Sequence, residues 1–191
     1  MDTLVFDIET KNSFEDVGGR ENIRALEASV IGVYSYTQDR YVCFDEGDFT
    51  AFGEMARNAS LLVGFSSKRF DVPVVEKHFA FKFSKLPHFD ILEEIEGALG
   101  RRISLGILAE ANLGIGRGKT GTGLDAIAYY RRGELDKLRE YCLQDVKVTK
   151  EIFDLIRSQG YLWIPQRNAP QMIKLPITYR KAEAPLQARL L

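Results

Sequence analysis

Apolar and polar residues follow two periods along the chain, and the period of each segment predicts a strand or a helix. Period-two or short apolar segments predict strands over residues 4–10, 30–37, 40–44, 61–65, 88–91 and 161–164. Helical spacing predicts helices over residues 21–27, 49–58, 91–99, 104–114 and 134–158. Strands that alternate with helices in this order predict an α/β fold with a mixed central sheet flanked by helices.

The first predicted strand has the sequence LVFDIET and carries two carboxylates. Side chains alternate between the faces of a strand, so Asp7 and Glu9 point one way while Phe6 and Ile8 point the other. The apolar context predicts a buried strand, in which adjacent carboxylates are costly unless a cation lies between them. A divalent cation is therefore the expected partner. On this segment alone, a solvated strand face is an equal alternative.

Two further acidic residues are in local structures that can bring them to the same place. Asp71 follows a predicted strand and begins a helical register, where capping of that helix is the competing explanation. Asp145 lies in the last helix, four residues after Tyr141, so both side chains share one face. A solvated helix face is the alternative for this pair. Asp90 is expected to cap the helix that follows it.

Composition predicts a soluble protein with one main domain. The chain has 191 residues, of which 45% are hydrophobic, and it contains no apolar run long enough to cross a membrane and no segment that resembles a signal peptide. Its only cysteines are Cys43 and Cys142, which favours a reducing cytoplasm. We expect a domain over residues 1–160 and a short basic C-terminal extension over residues 161–191 that is not an independent domain.

The distribution of charge favours a metal-binding catalyst. The extension carries five of the 26 basic residues and one of the 27 acidic residues, so the main domain is net acidic. An acidic body suits metal ligands, and a basic tail suits a polyanionic partner. The glycine-rich segment over residues 114–123 follows a helix rather than a strand, which argues against a nucleotide-binding loop of the dinucleotide or P-loop kind. We interpret it as a mobile loop whose Arg117 and Lys119 contact phosphates.

Three segments together resemble the motifs of one nuclease family. FDIET in the first strand, GFSSKRFD over residues 64–71 and YCLQD over residues 141–145 are similar to the three motifs of ribonuclease H-like 3′–5′ exonucleases that carry four acids and a tyrosine, the DEDDy subgroup. The resemblance is closest to proofreading domains of family B DNA polymerases and to stand-alone bacterial relatives, and it covers about residues 3–158. Ser66 stands where the family often has asparagine.

The resemblance implies a catalytic set made of Asp7, Glu9, Asp71, Tyr141 and Asp145. The four acids would hold two Mg²⁺ or Mn²⁺ ions, with Asp7 bridging them, Glu9 and Asp145 completing one site and Asp71 serving the other. Tyr141 would orient the attacking water, because a phenol with a pKa of about 10 is a poor base at neutral pH. Contacts to substrate are expected from Thr10, Phe14, Phe65, Ser66, Phe70, Arg117 and Lys119.

The implied activity is hydrolysis of phosphodiester bonds from the 3′ end of nucleic acid, with single-stranded DNA as the expected substrate and nucleoside monophosphates as products. Two alternatives remain open. A nucleic-acid-binding relative without activity would usually have lost at least one acid, and all four are present. A metal-dependent phosphatase with an aspartyl nucleophile would want a second Asp two residues after the first, where this chain has Glu9.

Overall fold

A computed structural model describes residues 2–114, 116, 121–166 and 169–179 of the chain. Its centre is a five-stranded sheet with the order β3-β2-β1-β4-β5. The strands are β1 (Asp2–Thr10), β2 (Ala28–Ser35), β3 (Arg40–Asp45), β4 (Ala59–Gly64) and β5 (His88–Asp90). The pairs β1/β2 and β2/β3 are antiparallel, whereas β1/β4 and β4/β5 are parallel. The predicted mixed α/β sheet is confirmed.

Helices cover both faces of this sheet. They are α1 (Phe49–Arg57), α2 (Asp71–Val75), α3 (Ile91–Leu99), α4 (Leu105–Leu113), α5 (Gly123–Arg131) and α6 (Leu135–Gln159). The long helix α6 packs across β1 and β2. It ends at Gly160, which adopts the left-handed conformation with φ of 74° and so closes the helix as the sequence predicts.

The central strand β1 divides the core into two layers. Leu4, Phe6 and Ile8 pack with α1 and α2 on one side of the sheet. Val5 packs on the other side with Val146 of α6. Because β1 pairs with a neighbour along both edges, its alternation is fixed, and Asp7 and Glu9 are held on the face that α6 covers.

The close approach of α6 to the sheet depends on Gly32. This residue lies in β2 directly opposite Asp7 of β1. A methyl group at Gly32 would lie 2.9 Å from Sγ of Cys142 and 3.0 Å from Cγ2 of Val146, both on α6. In the same turn of α6, the Cys142 thiol donates a hydrogen bond to the carbonyl oxygen of Asp7 at 3.5 Å. The missing side chain therefore lets α6 reach the strand that carries the acidic residues.

Three parts of the fold differ from the sequence prediction. The segment predicted as a helix over residues 21–27 is a 3₁₀ segment, Arg20–Ala25. The helix α5 was not predicted, although Thr122 and Asp125 form a recognisable cap, in which the Asp125 carboxylate accepts hydrogen bonds from the Thr122 N–H and hydroxyl at 2.7 and 3.0 Å.

The third difference concerns the C-terminal extension. The strand predicted over residues 161–164 is confirmed as part of β6 (Tyr161–Gln166), but it pairs with β7 (Ala169–Pro176), which was not predicted, in a separate two-stranded sheet. Leu162, Ile164 and Leu175 of this hairpin are buried in the same cluster as Val5. The division of the chain at residue 160 stays a prediction.

The structure describes the features behind two expectations, the state of the cysteines and the presence of membrane-spanning segments. Neither Cys43 nor Cys142 is in a disulfide. Among the described residues, no helix is both long and apolar enough to cross a membrane. The cytoplasmic location stays a prediction.

The crowding at Gly32 can be tested by substitution. We expect Gly32→Ala to lower the free energy of unfolding by about 1–3 kcal/mol, because the added methyl group forces α6 away from the sheet. Gly47→Ala is the matched control, since a methyl group there meets no atom within 4 Å. Urea denaturation followed by circular dichroism measures both variants. Equal stability of the two variants would contradict the close-packing argument.

Candidate metal centre and cleft

Three carboxylates from two elements come together on the α6 face of the sheet. One oxygen from each of Asp7, Glu9 and Asp145 lies within 4.8 Å of the other two. Glu9 and Asp145 are buried, and Asp7 is half-buried. Three negative charges at this separation repel one another strongly in a poorly hydrated site, so the arrangement favours a bound cation. The solvated-face interpretations of the Asp-x-Glu strand and of Asp145 are therefore not supported.

The fourth acid, Asp71, is hydrogen-bonded to the backbone of the same strand. The parallel pairing of β1 with β4 extends only to Val5, and β4 ends at Gly64. Beyond that point the Ile8 N–H donates to Oδ1 of Asp71 at 3.2 Å. Asp71 is the first residue of α2, with Phe70 at the N-cap position. The buried Asp71 carboxylate thus accepts a hydrogen bond from the residue that lies between Asp7 and Glu9 in β1.

Helix α6 delivers Asp145 and Tyr141 from one face, as their spacing predicts. Both side chains are buried, and the Tyr141 ring packs edge-on against Tyr129 with centroids 6.4 Å apart. Between them on the helix, Cys142 is fully buried, and this burial, together with the nearby charges of Asp7 and Glu9, raises the pKa of its thiol well above the usual value. Cys142 therefore stays a neutral packing residue, and the available donors are oxygens.

Asp90 organises the loop between β4 and α2. Its carboxylate accepts hydrogen bonds from the N–H groups of Leu92 and Glu93 at the start of α3, which confirms the predicted cap. It also accepts from the N–H groups of Ser66 and Lys68 at 2.9 Å each. Ser66 has a φ of 65°, a left-handed conformation that these bonds help to hold. Asp90 thus shapes the second motif from outside the acidic cluster.

A cleft of about 590 Å³ opens beside the acids. Its lining includes eight of the residues predicted from the sequence: Asp7, Glu9, Thr10, Phe14, Phe65, Ser66, Phe70 and Asp71. Tyr141 and Asp145, on α6, are not among the residues that line this cleft. Arg117 and Lys119 lie outside the described residues. The sequence-based roles of all these side chains stay predictions, but most of the set surrounds one cavity.

One wall of the cleft is aromatic and cationic. The rings of Phe14 and Phe70 meet edge to face at 5.9 Å, and the Arg20 guanidinium lies 4.8 Å from the Phe14 ring centre. Sequence reasoning did not identify Arg20, and it also missed Asn12, Ser13 and Leu124 of the lining. Leu124 is 67% exposed on the first turn of α5. The cap formed by Thr122 and Asp125 is the local signal from which a helix beginning here could have been predicted.

The geometry defines an α/β fold with an acidic centre at the end of its middle strand, and comparison with known proteins assigns the family. The family model RNase_H_2, described as RNase_H superfamily, matches residues 4–157. The chain belongs to the RNase H superfamily. A comparison with curated protein sequences found no match.

Solved structures share this fold. The family B DNA polymerase from the hyperthermophilic archaeon Pyrobaculum calidifontis matches with a TM-score of 0.62 and 17% sequence identity. The match covers 82% of this chain and 24% of the polymerase, so the chain corresponds to only a part of that protein's length. At this identity the likeness concerns the fold.

The donor set fits a hard divalent cation. Carboxylate oxygens are the ligands that Mg²⁺ and Mn²⁺ prefer, and burial keeps the neighbouring Cys142 thiol protonated by raising its pKa well above the usual value. The cluster is therefore compatible with the divalent metals that nucleases of this superfamily use.

We expect Mn²⁺ to stabilise the folded protein through this cluster. A ligand at 100 times its dissociation constant adds about 2.7 kcal/mol to the free energy of unfolding, so the thermal midpoint should rise with metal concentration. Asp7→Asn keeps the shape and should remove most of this rise. Asp48→Asn, at an exposed carboxylate, is the control and should respond like the unmodified protein. A full Mn²⁺ response in Asp7→Asn would place the metal elsewhere.

Proposed function

We propose that the protein is a metal-dependent 3′–5′ exonuclease that hydrolyses phosphodiester bonds and releases nucleoside monophosphates. The observation that carries the proposal is the convergence of Asp7, Glu9 and Asp145 beside a cleft in an RNase H superfamily fold. A binding module without catalysis would gain nothing from three carboxylates held within 4.8 Å, since their charge repels a polyanion unless a metal neutralises it.

The acids would hold two Mg²⁺ or Mn²⁺ ions. Asp7, Glu9 and Asp145 would form one site, and Asp7 and Asp71 would contribute to the other. Such ions, when bound, activate a water molecule and neutralise charge that develops on the phosphate and the leaving oxygen. The protein fixes these four residues in advance, because two are on the central strand, one is on the helix packed against it and Asp71 begins α2.

Tyr141 would position the water that attacks the phosphate. Its side chain is buried and packs against Tyr129 of α5, and it lies one helical turn before Asp145 of the acidic cluster, which supports this role. A phenol is protonated at neutral pH and can donate or accept a hydrogen bond without carrying charge. We therefore assign Tyr141 to orientation of the water and not to removal of its proton.

The cleft would hold the terminal nucleotides of a single strand. Phe14, Phe65 and Phe70 of the lining would offer ring surfaces to bases, and Thr10 and Ser66 would offer hydroxyl groups. Base stacking of this kind does not depend on sequence. A free 3′ end can enter the cleft, whereas a duplex would first have to fray. In the same proposal, Arg117 and Lys119 would contact phosphates of this single strand.

The direction of cleavage can be tested with labelled DNA. With Mg²⁺ or Mn²⁺, a 5′-labelled single strand should shorten one nucleotide at a time, while a strand with a blocked 3′ end and a closed circle should survive. Asp7→Ala should abolish hydrolysis and keep the circular dichroism spectrum, and Asp48→Ala should retain activity. Cleavage of the circle at the rate of the linear strand would identify an endonuclease. Hydrolysis confined to phosphate monoesters would identify a phosphatase.

The role of Tyr141 predicts a separate kinetic effect. Tyr141→Phe keeps the packing against Tyr129 and removes the hydroxyl, so single-turnover hydrolysis should slow by about 10²-fold or more. The Mn²⁺-dependent rise in thermal midpoint should be retained, because the carboxylates are intact. A variant that hydrolyses at the normal rate would show that Tyr141 contributes only packing.

A further inference from the structure

A second cavity adjoins the loop that shapes the cleft. It has a volume of about 370 Å³ and lies where the start of α4 meets β6, lined in part by Arg101, Arg102, Ser104, Ile107, Pro165 and Gln166. We call it the arginine pocket. The two cavities are linked through Ser66, because Ser66 lines the cleft and its hydroxyl accepts a hydrogen bond from the Arg102 guanidinium at 2.7 Å.

The two arginines differ from the other basic residues nearby. Lys68 and Arg69 are ion-paired with Glu93 and Glu96 of α3. Within the described part of the chain, Arg101 and Arg102 instead donate to neutral oxygens, the Pro165 carbonyl oxygen at 2.7 Å and the Ser66 hydroxyl. No carboxylate of the described residues forms an ion pair with these two guanidinium groups, in a protein whose main domain is net acidic.

This chemistry suits a phosphodiester. A guanidinium binds phosphate through two parallel N–H bonds, which are stronger than its bond to a neutral hydroxyl. Arg102 is exposed, and its side-chain partner among the described residues is the Ser66 hydroxyl, which a phosphate can replace. Ile107, which is 51% exposed, and Pro165 offer apolar surface to a sugar or base next to that phosphate. The lining residues named above include no acid that would repel it.

We propose that the arginine pocket binds the single strand on the 5′ side of the nucleotides in the cleft, with Arg102 holding a phosphate where the strand leaves. This inference rests on the proposed function, since it assumes that the cleft holds a 3′ end. The pocket lengthens the binding site beyond the cleft and makes affinity depend on strand length. The C-terminal hairpin takes part through Pro165 and Gln166, which Arg101 ties to the start of α4.

The test compares oligonucleotide binding at two lengths. Fluorescence anisotropy is measured with Ca²⁺ in place of Mg²⁺ or Mn²⁺, because Ca²⁺ also binds carboxylate oxygens but without the rigid octahedral geometry of Mg²⁺, which suppresses turnover. It gives dissociation constants for single strands of roughly three and roughly 12 nucleotides across a series of salt concentrations. Arg102→Ala should weaken binding of the long strand about fivefold to tenfold and reduce the slope of log affinity against log salt by about 0.7, the value for one phosphate contact. Binding of the short strand should change much less.

Two variants control for charge and geometry. Arg102→Lys should restore most of the salt slope but only part of the affinity, because lysine keeps the charge and loses the paired N–H groups. Arg57→Ala removes an exposed arginine on α1, outside the cleft and the arginine pocket, and should bind both strands normally.

Three results would overturn the inference: equal weakening for both lengths, which would place Arg102 in the cleft; an unchanged salt slope; or no binding of either strand by the unmodified protein. Failure of the proposed function has a different signature. In that case the unmodified protein binds the strands with the expected dependence on length and Arg102 but hydrolyses neither with Mg²⁺ or Mn²⁺, which would support the pocket and contradict the exonuclease.

Discussion

The crowding of carboxylates at the end of the central strand is the constraint around which the structure is built. Asp7, Glu9 and Asp145 are held together against their mutual repulsion because β1 is paired along both edges and α6 is packed tightly across it. Packing of apolar residues such as Val5 and Val146 supplies the free energy that keeps the acids in place. The electrostatic cost is recovered when a cation binds, so stability and metal affinity are coupled at this site.

Backbone features away from the acids set how closely the elements meet. The absence of a side chain at Gly32 lets α6 approach β2, and four backbone N–H groups bonded to Asp90 fix the loop that carries Ser66 and leads to Asp71. An error of about 1 Å in such positions can cost a metal site much of its function. Gly32 and Asp90 therefore contribute to the geometry of the site although neither belongs to the acidic cluster.

The early end of β4 creates the opening that the cleft uses. Where β4 stops, the edge of β1 needs a new hydrogen-bond acceptor, and Asp71 supplies it while lining the cavity. The loop that makes this connection also carries Ser66, through which the arginine pocket touches the cleft. One irregularity in the sheet therefore brings together the fourth acid, the aromatic wall and the proposed path of the strand. Membership of the RNase H superfamily is consistent with an acidic centre at this place.

Local patterns in the sequence determined the mixed α/β class, the shared face of Asp7 and Glu9, the shared face of Tyr141 and Asp145, and the cap at Asp90, because each depends on periodicity or on residues a few positions apart. Other features depend on contacts between residues distant in sequence. The bond from Ile8 to Asp71, the fit of α6 against Gly32 and the bond from Arg102 to Ser66 have no local signature. Only the tertiary structure decided them, since they arise when the packed core brings separate segments into contact.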